Sequence, residues 1–470
     1  MTIGALSDDA LLEVFDFYVD EEDDIEGWHT LIHVCQIWRS IVFASQRRLR
    51  LRLLCTERRP VKQMLDVWPA LPIIIRQSGN TKSLVEGTDN IIAALERRDR
   101  VCEICLPFVP GRLLEKFVAL MQGPFPALIH LTIQSNGESP PTLPDSFLGG
   151  SAPHLRSFYF SGVLYPALRK LLLSASHLVH LELRDVPQSD GYIPTEAIII
   201  CLSSLTRLQT LALELFFPPP YPAQESRRPS PMTRGVLPVL KALWFKGFNA
   251  YLEDILAYVD APLLGFANIW FCNQVIFEFS QLSQFLSRTE MLETVNQVNL
   301  VFLRHSARAR FHAEAGAEDY AKLELGVSCK ESDWQLSALA QICSSPLPNL
   351  SDVECLDIRE DQTWGTHWQD DVEDAQWLEL FHPFTVVKSL YLSKEIAVRV
   401  APALQDLTRG LGNVTEVLPV LQNIFLEEPQ SLGPAQEAIR QFLAARQRSR
   451  CPVAIHRWEI IREMWYEIDD

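Results

Sequence analysis

A short apolar pattern that recurs along most of the chain constrains its fold more than any other feature. In each unit, an apolar residue is followed by two variable residues, a second apolar residue, one variable residue and a third apolar residue. The units read VCEICL, LIHLTI, LRSFYF, LVHLEL, LQTLAL, LKALWF, LGFANI, VNQVNL, YAKLEL, LSDVEC, VKSLYL and LQNIFL. The first begins at residue 101 and the last at residue 421, so the units recur about every 29 residues on average.

The last two apolar positions of each unit alternate, as in a strand with one buried side. One such strand cannot bury its apolar side alone, so we expect the units to stack as parallel strands that share a continuous core. Several connections are typical of helices, namely LEDILAYV, QLSQFLSR, DWQLSALAQIC, WLELFHPF and PAQEAIRQFLAARQ. The predicted fold class is therefore α/β, a curved solenoid with parallel strands on the concave side and helices on the convex side.

Side chains between and just after the buried strand positions are expected to point to the concave surface. Exposed aromatic residues interspersed with charge are typical of protein-binding surfaces. An alternative is that the tryptophans lean onto neighbouring strands and the glutamates only keep the surface soluble. The candidate target-binding residues are Tyr159, Glu182, Arg184, Glu214, Trp244, Lys246, Trp270, Glu324, Glu354 and Tyr391.

The net charge and composition disfavour several classes of function. The 470-residue chain has a formal net charge of −17, which disfavours general binding to nucleic-acid backbones. No apolar run reaches the roughly 18 residues needed to span a bilayer, and the first residues do not resemble a secretory signal. The ten cysteines are dispersed, as expected of reduced thiols. We therefore expect a cytoplasmic or nuclear protein with no membrane and no nucleic-acid partner.

The first fifty residues predict two short helices. Ser7, followed by two aspartates, is a typical helix start, and this helix should run to about Tyr18. A second helix is expected from about Trp28 to Ala44, after an acidic loop. Two helices of this size cannot bury their apolar residues against each other, so the excess apolar surface predicts a partner. On such a face, Cys35 is expected to pack as a small apolar side chain rather than to react.

The same residues resemble an F-box, the motif that binds the Skp adaptor of cullin-based ubiquitin ligases. The similarity lies in LSDDALLEVF at residues 6–15 and in LIHVCQIWR at residues 31–39. Ser7 stands where the family usually has proline, and the loop between the helices is longer than usual. By this resemblance, the adaptor contacts would be Leu6, Leu11, Leu12, Val14, Phe15, Leu31, Val34, Cys35 and Trp38. The alternative is that these residues form only the core of a helical hairpin.

The recurring unit resembles the leucine-rich repeat, although its spacing is uneven. RRLRLRLLC and MLDVWPALPIII are expected to form a strand, a helix and a strand that lead into the repeats. Together with segments near the carboxy terminus, they are similar to F-box proteins of basidiomycete fungi. The predicted domains are an F-box at residues 1–55, a linker at residues 56–100 and an irregular leucine-rich-repeat-like target-recognition domain at residues 101–470.

These resemblances imply a non-catalytic, substrate-recognition subunit of a Skp–cullin–F-box ubiquitin ligase, with a Skp-type adaptor, a cullin and an unidentified target as partners. The alternative is a protein-interaction scaffold that recruits no cullin. Pro218-Pro219-Pro220-Tyr221 resembles the Pro-Pro-x-Tyr ligand of WW domains, and Ser230 is a candidate phosphorylation site. Cys102-x-x-Cys105 lacks the two further ligands that a zinc site needs, and His177 and His180 lack the acidic context of an HExxH motif. No metal, cofactor or catalytic residue is therefore expected.

Overall fold

The structure is a computed structural model that describes fifteen stretches of the chain. These are residues 6–19, 25–78, 81–136, 140–164, 166–186, 193–215, 234–272, 277–293, 295–313, 321–329, 332–345, 350–360, 374–409, 417–427 and 433–458. The chain forms two compact units, Met1–Ala212 and Leu213–Asp470. Both are mixtures of helices and mostly parallel strands. The predicted domain boundaries at residues 55 and 100 both lie within the first unit and stay predictions.

The first unit begins with helices and continues with alternating strands and helices. Its helices are α1 (Asp8–Val19), α2 (Gly27–Val34), α3 (Gln36–Ala44), α4 (Val61–Val67), α5 (Thr81–Glu86), α6 (Thr88–Leu95), α7 (Gly111–Leu120), α8 (Leu168–Ser174) and α9 (Thr195–Ser204). Its strands are β1 (Leu53–Cys55), β2 (Ile73–Arg76), β3 (Val101–Val109), β4 (His130–Ser135), β5 (Ser157–Ser161) and β6 (His180–Val186). Strand β7 (Thr210–Leu215) crosses the division between the units.

Strands β1 to β6 pair in chain order, and every pair is parallel. The apolar positions of the recurring unit lie on the buried side of these strands. In β4, for example, Leu131 and Ile133 are completely buried, as are Leu114 and Phe117 of α7. The predicted strand, helix and strand before the repeats are confirmed as β1, α4 and β2.

The second unit continues the alternation with one rearrangement. Its helices are α10 (Asn249–Leu256), α11 (Ser280–Ser287), α12 (Ser332–Ser344), α13 (Asp374–Phe381), α14 (Lys394–Arg409) and α15 (Pro434–Arg448). Its strands are β8 (Gly235–Val236), β9 (Ala242–Gly247), β10 (Val259–Asp260), β11 (Phe266–Cys272), β12 (Val295–Phe302), β13 (Ser306–Ala313), β14 (Leu323–Ser328), β15 (Cys355–Glu360), β16 (Ser389–Leu392), β17 (Asn423–Glu427) and β18 (Ala454–Trp458). The predicted helical connections are confirmed as α10, α11, α12, α13 and α15.

Strand order in the second unit corrects the predicted uniform stack. The order is β9, β11, β14, β13, β12, β15, β16, β17 and β18. Strand β13 is antiparallel to both of its neighbours, β12 and β14. The pairs β9–β11, β11–β14, β12–β15, β15–β16, β16–β17 and β17–β18 are parallel. The chain thus passes from β11 to β12, returns through β13, and places β14 beside β11. Alternation of Ala307, Ala309 and Phe311, all buried, makes β13 a strand, but it lacks the recurring unit.

Two further predictions are corrected. The expected second helix is two helices, because Cys35 has extended backbone angles, φ −159° and ψ 171°, between α2 and α3. The tenth recurring unit begins three residues later than expected. Leu356 of β15 pairs with Leu390 of β16, so the unit reads VECLDI from Val353 rather than LSDVEC from Leu350.

Candidate protein-interaction surfaces

The three amino-terminal helices are anchored on one side by a cluster of aromatic side chains. Trp28 of α2 is completely buried, and its Nε1 donates a hydrogen bond of 3.1 Å to the carbonyl of Arg52. Its ring lies 5.5 Å from that of Trp68, just after α4, and 6.1 Å from that of Phe43 in α3, measured between centroids. This side of the helices is therefore covered by the chain itself.

The other side of these helices carries exposed apolar side chains. Phe17 is 88% exposed, Ile37 62%, and Val14 and Val34 are each 55% exposed. Val14 and Phe17 are three residues apart in α1 and so lie on the same side of that helix. We call the exposed set formed by Val14, Phe17, Val34 and Ile37 the amino-terminal apolar surface.

The nine predicted adaptor contacts divide into three groups by exposure. Leu6, Val14, Val34 and Cys35 are exposed, and Leu12 and Trp38 are half-buried. Leu11, Phe15 and Leu31 are buried, at 4%, 0% and 5% exposure. These last three form the core of the helices in the isolated chain, as the alternative interpretation stated, and adaptor contact at these positions stays a prediction.

Trp38 also contributes to this core, since its ring centroid lies 4.7 Å from that of Phe15. The prediction missed Phe17 and Ile37. Phe17 follows from helix geometry, because it lies three residues after Val14 in α1. Ile37 could not be assigned before the break at Cys35 was known, since α3 begins at Gln36 after that break.

The strand side chains that alternate with the buried ones form a second surface in each unit, here called the polar face. In the first unit, Thr132, Tyr159 and Glu182 occupy one row across β4, β5 and β6. Arg184 lies two residues after Glu182 and forms an ion pair of 2.5 Å with it. The predicted residues Tyr159, Glu182 and Arg184 are thus brought together on one face, and all three are half-buried.

In the second unit, one row of the polar face crosses nine strands. From β9 to β18 it contains Trp244, Asn268, Glu324, Arg310, Asn299, Asp357, Tyr391, Phe425 and His456. Three predicted residues, Trp244, Glu324 and Tyr391, belong to this row. Lys246 and Trp270 belong to the next row and pair with each other across β9 and β11.

The charged groups of this face are largely paired. Glu214 and Lys246 are 2.5 Å apart. Glu324 is 8% exposed and accepts a 3.0 Å hydrogen bond from Nε of Arg310, and Arg308 lies 3.7 Å away. Since β13 was not predicted, these two arginines were missed.

Glu354 does not belong to the polar face. It precedes β15, is exposed, and pairs at 2.5 Å with Lys388. The shift of three residues in the tenth unit puts Asp357 at the position assigned to Glu354. Asp357 is 2% exposed, and its Oδ2 accepts a 2.7 Å hydrogen bond from Nε of Arg359. Burial raises the pKa of Asp357, and the pairing with Arg359 opposes this effect.

Aromatic rings close the row at its carboxy-terminal end. The rings of Tyr391 and Phe425 stack at 4.2 Å, and those of Phe425 and His456 at 4.9 Å. Trp458 meets Tyr391 edge to face at 5.2 Å, and the guanidinium carbon of Arg359 lies 4.7 Å from the centre of the Trp458 ring. Through these contacts, side chains of β18 pack against side chains of β15, β16 and β17.

The remaining candidate sites from the sequence are not part of the surfaces described above. Pro218 to Tyr221 and Ser230 lie outside the described residues. Within the described ranges, no group of three or more His, Cys, Asp or Glu side chains could hold a metal ion. No helix in that part of the chain is long and apolar enough to cross a bilayer.

The chain was compared with family models, curated proteins and solved structures. No protein-family model matches the chain, and no curated protein matches it. Among solved structures, the chain is similar to the leucine-rich repeat-containing protein LegL7 from Legionella pneumophila, at 11% identity and a TM-score of 0.25, over 83% of this chain and 97% of that one.

Proposed function

We propose that this chain is a substrate-recognition subunit of a Skp–cullin–F-box ubiquitin ligase. In this proposal, α1, α2 and α3 bind a Skp-type adaptor, and the polar faces bind a target protein in the cytoplasm or nucleus. The chain itself performs no catalytic step, since its partners supply the ubiquitin-transfer chemistry and the target is brought close to them.

The observation that carries the proposal is the asymmetry of the amino-terminal helices. One side is fixed to the rest of the first unit through Trp28, whereas Phe17 and Ile37 on the other side are more than half exposed. Burying an apolar side chain of this size contributes about 1.5–3 kcal/mol, so a partner that covers several of them gains substantial affinity. The sequence resemblance supplies the identity of that partner.

Co-purification with the candidate partners tests the proposal. The doubly substituted variant Val14→Asp with Phe17→Asp should lower adaptor affinity by about a hundredfold, because it removes about 3 kcal/mol or more of apolar burial. Trp38 is left intact, since it packs on Phe15 inside the helices. The matched control is Val67→Asp in α4, at a side chain that is 74% exposed but outside the amino-terminal apolar surface.

The recovered proteins distinguish a ligase subunit from a scaffold. A ligase subunit recovers both the Skp-type adaptor and the cullin, and the double variant loses both while Val67→Asp retains them. Recovery of adaptor without cullin supports a scaffold instead. Equal recovery by the native chain and the double variant would show that the amino-terminal apolar surface does not bind the adaptor.

A further inference from the structure

Basic side chains gather at one edge of the first unit, where strands β4 to β7 begin. His154, His177 and Arg207 occupy equivalent positions, three residues before β5, β6 and β7. Arg156 directly precedes β5, and a histidine is the first residue of both β4 and β6. The turn that leads into each of these strands lies within the described ranges. We call this set the basic edge: His130, His154, Arg156, His177, His180 and Arg207.

The three residues in the turns form a ladder. The rings of His154 and His177 stack with their centroids 6.4 Å apart, and Nη1 of Arg207 lies 2.9 Å from Nδ1 of His177. Because a guanidinium group only donates hydrogen bonds, Nδ1 of His177 accepts this one, and the hydrogen of the neutral ring lies on Nε2. His177 therefore keeps Nε2 as a donor for another acceptor.

The other three residues lie beside this ladder, at the start of the strands. His130 and His180 belong to one row that crosses β4, β5 and β6, and the amide of His180 donates a 2.9 Å hydrogen bond to the carbonyl of Arg156. Burial lowers the pKa of His130; Glu103 opposes this effect, and neighbouring basic groups, Arg156 among them, add to it. Basic groups from several strands are thus close enough to influence one histidine.

The arginines of the basic edge have no carboxylate partner in the described part of the chain. Arg156 and Arg207 are both exposed, and neither forms an ion pair with a described carboxylate. Glu103 is the register partner of His130, but its carboxylate is already paired with Arg76 at 2.9 Å. The positive charge of this edge is therefore not neutralised by the turns and strands that carry it.

On the polar faces, by contrast, cations are paired. Arg184 pairs with Glu182, and Lys246 pairs with Glu214, each at 2.5 Å. Like charges that lie close together without counterions repel each other, and the chain as a whole is strongly acidic, with a net charge of −17. A local group of unpaired cations in such a chain has the electrostatic property of a site for an external anion.

We propose that the basic edge binds an extended acidic segment of a partner protein, with carboxylates at alternate residues. Alternate residues of an extended chain lie about 6.6 Å apart, close to the 6.4 Å between the rings of His154 and His177. Carboxylates on one side of the segment accept hydrogen bonds from the imidazole and guanidinium donors. The basic edge shares no residue with the amino-terminal apolar surface, and the inference does not depend on recruitment of an adaptor.

A nucleic-acid strand fits this edge less well than an acidic peptide segment. Its phosphates repeat along its whole length, so those beyond the basic edge would meet a chain with a net charge of −17. A short acidic segment places its few carboxylates on the basic edge alone. Charge complementarity therefore favours the peptide.

Binding of a short acidic peptide tests the proposal. The probe is TETETETET, labelled with tetramethylrhodamine, a dye of no net charge, and the neutral control is TQTQTQTQT with the same label. Fluorescence polarisation with the full chain should show binding of the acidic probe at concentrations up to about millimolar and at least about tenfold weaker binding of the control. Because the overall charge of the chain repels this probe, binding reports a local site. Absence of binding, or equal binding of both peptides, would overturn the proposal.

Two further probes test the spacing and the class of ligand. TTEEEETTT has the composition of the acidic probe but places only half of its carboxylates on one side of an extended chain, and it should bind about threefold or more weakly. Equal affinity for these two peptides would exclude the alternating arrangement. Tighter binding of an oligouridine RNA of the same length than of TETETETET would assign the basic edge to nucleic acid instead.

Charge-reversal variants locate the binding site. Arg156→Glu and Arg207→Glu should each weaken binding of TETETETET by about tenfold or more, whereas Arg207→Lys, which keeps the charge, should weaken it by less than about threefold. The matched control is Arg169→Glu in α8, which makes the same change of charge at an exposed arginine outside the basic edge and should change affinity by less than about threefold. Circular dichroism confirms that each variant is folded.

The pattern across these variants decides the outcome. Native-like affinity in both Arg156→Glu and Arg207→Glu would exclude the basic edge, and an equal loss in Arg169→Glu would mean that only the net charge of the chain matters. Raising the NaCl concentration from about 50 to about 300 mM should weaken binding of the acidic probe, because exposed charges are screened. Binding that is independent of salt would also contradict the proposal, whatever the result of the adaptor experiment.

Discussion

The side-chain carboxylate of Asp357 is buried, and its two oxygens differ in hydrogen bonding. Its Oδ2 is held by Arg359, whereas Oδ1 is buried and has no hydrogen-bond partner among the described residues. Burial raises the pKa of this carboxyl above that of an exposed aspartate, because the charged form loses more solvation than the neutral form. The side chain therefore makes folding depend on pH.

Between the ordinary aspartate pKa, about 3.9, and the raised pKa of Asp357, the folded chain holds a proton that the unfolded chain has lost. The contribution of Asp357 to stability is therefore greatest at low pH and falls as pH rises through this window. Asp357→Asn does not titrate, so its stability relative to the native chain should increase with pH by about 1.4 kcal/mol per unit of pKa difference. Urea unfolding midpoints of both proteins from pH 4 to pH 7 measure this, and a constant difference would contradict it.

Gly326 makes room for Trp270 on the polar face. These residues pair across β14 and β11, and a Cβ on Gly326 would lie 2.4 Å from the nearest atom of the Trp270 ring. Trp270 therefore leans onto the neighbouring strand, as one of the two sequence interpretations stated.

Substitution of this glycine should destabilise the second unit. Gly326→Ala forces the indole ring to move, at a cost of about 1–3 kcal/mol, as for other overpacked sites. Gly265→Ala is the matched control, since its nearest atom would be the Lys241 carbonyl oxygen at 3.8 Å, an ordinary contact distance. Thermal unfolding should show a lower midpoint for Gly326→Ala than for Gly265→Ala, and equal midpoints would show that Trp270 adjusts without cost.

The sequence correctly predicted which residues lie on the polar face wherever the recurring unit was assigned to the correct residues. Tyr159, Glu182, Trp244, Glu324 and Tyr391 all lie between two buried strand residues, as the alternation requires. The predicted position of Glu354 on this face was wrong, because Leu350, Val353 and Cys355 satisfy the same apolar pattern three residues before the true unit. Sequence spacing alone cannot choose between two overlapping matches; the pairing of Leu356 with Leu390 does.

At the scale of elements, the amino-terminal helices depend on the segment that follows them. Trp28 contacts Trp68 and donates to the carbonyl of Arg52, and Arg59 forms an ion pair with Glu26. None of these three contacts could be deduced from the amphipathic pattern, which identifies apolar faces but not the element that covers each one. The break at Cys35 was missed for a similar reason, since no proline or glycine marks it in the sequence.

Removal of the Trp28 ring should release these helices while the repeats stay folded. Trp28→Ala deletes a completely buried ring, and such substitutions cost about 3–5 kcal/mol. Limited proteolysis should then cleave the first sixty or so residues faster than in the native chain, followed by mass spectrometry of the fragments. Phe17→Ala, at a side chain that is 88% exposed, is the control and should leave the cleavage rate unchanged. Equal rates for the two variants would mean that the helices are held by other contacts.

The antiparallel strand β13 shows what the repeat pattern could not predict. SARARFHA at residues 306–313 alternates clearly, but its apolar positions are Ala307, Ala309 and Phe311, two of which are too small to match the recurring unit. The pattern also carries no information on strand direction or order. A strand inserted between two repeats therefore rearranges the order of β12 and β14 without changing the spacing of the remaining units.

At the scale of the whole molecule, the ten cysteines differ in burial, and burial determines how readily each thiol reacts. None of the ten forms a disulfide, and Cys55, Cys102, Cys201, Cys272, Cys329 and Cys343 are buried. Burial raises the pKa of Cys55 and Cys201 to about 11 and that of Cys343 to about 12. Since the thiolate is the reactive form, these side chains should be inert in the folded chain.

Cys35 differs from the other nine cysteines, because it is exposed at the junction of α2 and α3. The predicted packing of Cys35 on an apolar face is not made within the isolated chain, and its packing against an adaptor stays a prediction. With iodoacetamide at neutral pH, Cys35 should be alkylated first and the buried six only when the chain unfolds. Peptide mass spectrometry over time measures the order. Early modification of Cys55 or Cys343 would show that the described packing opens in solution.

Slower alkylation of Cys35 in the presence of a Skp-type adaptor is expected if that partner covers the amino-terminal apolar surface.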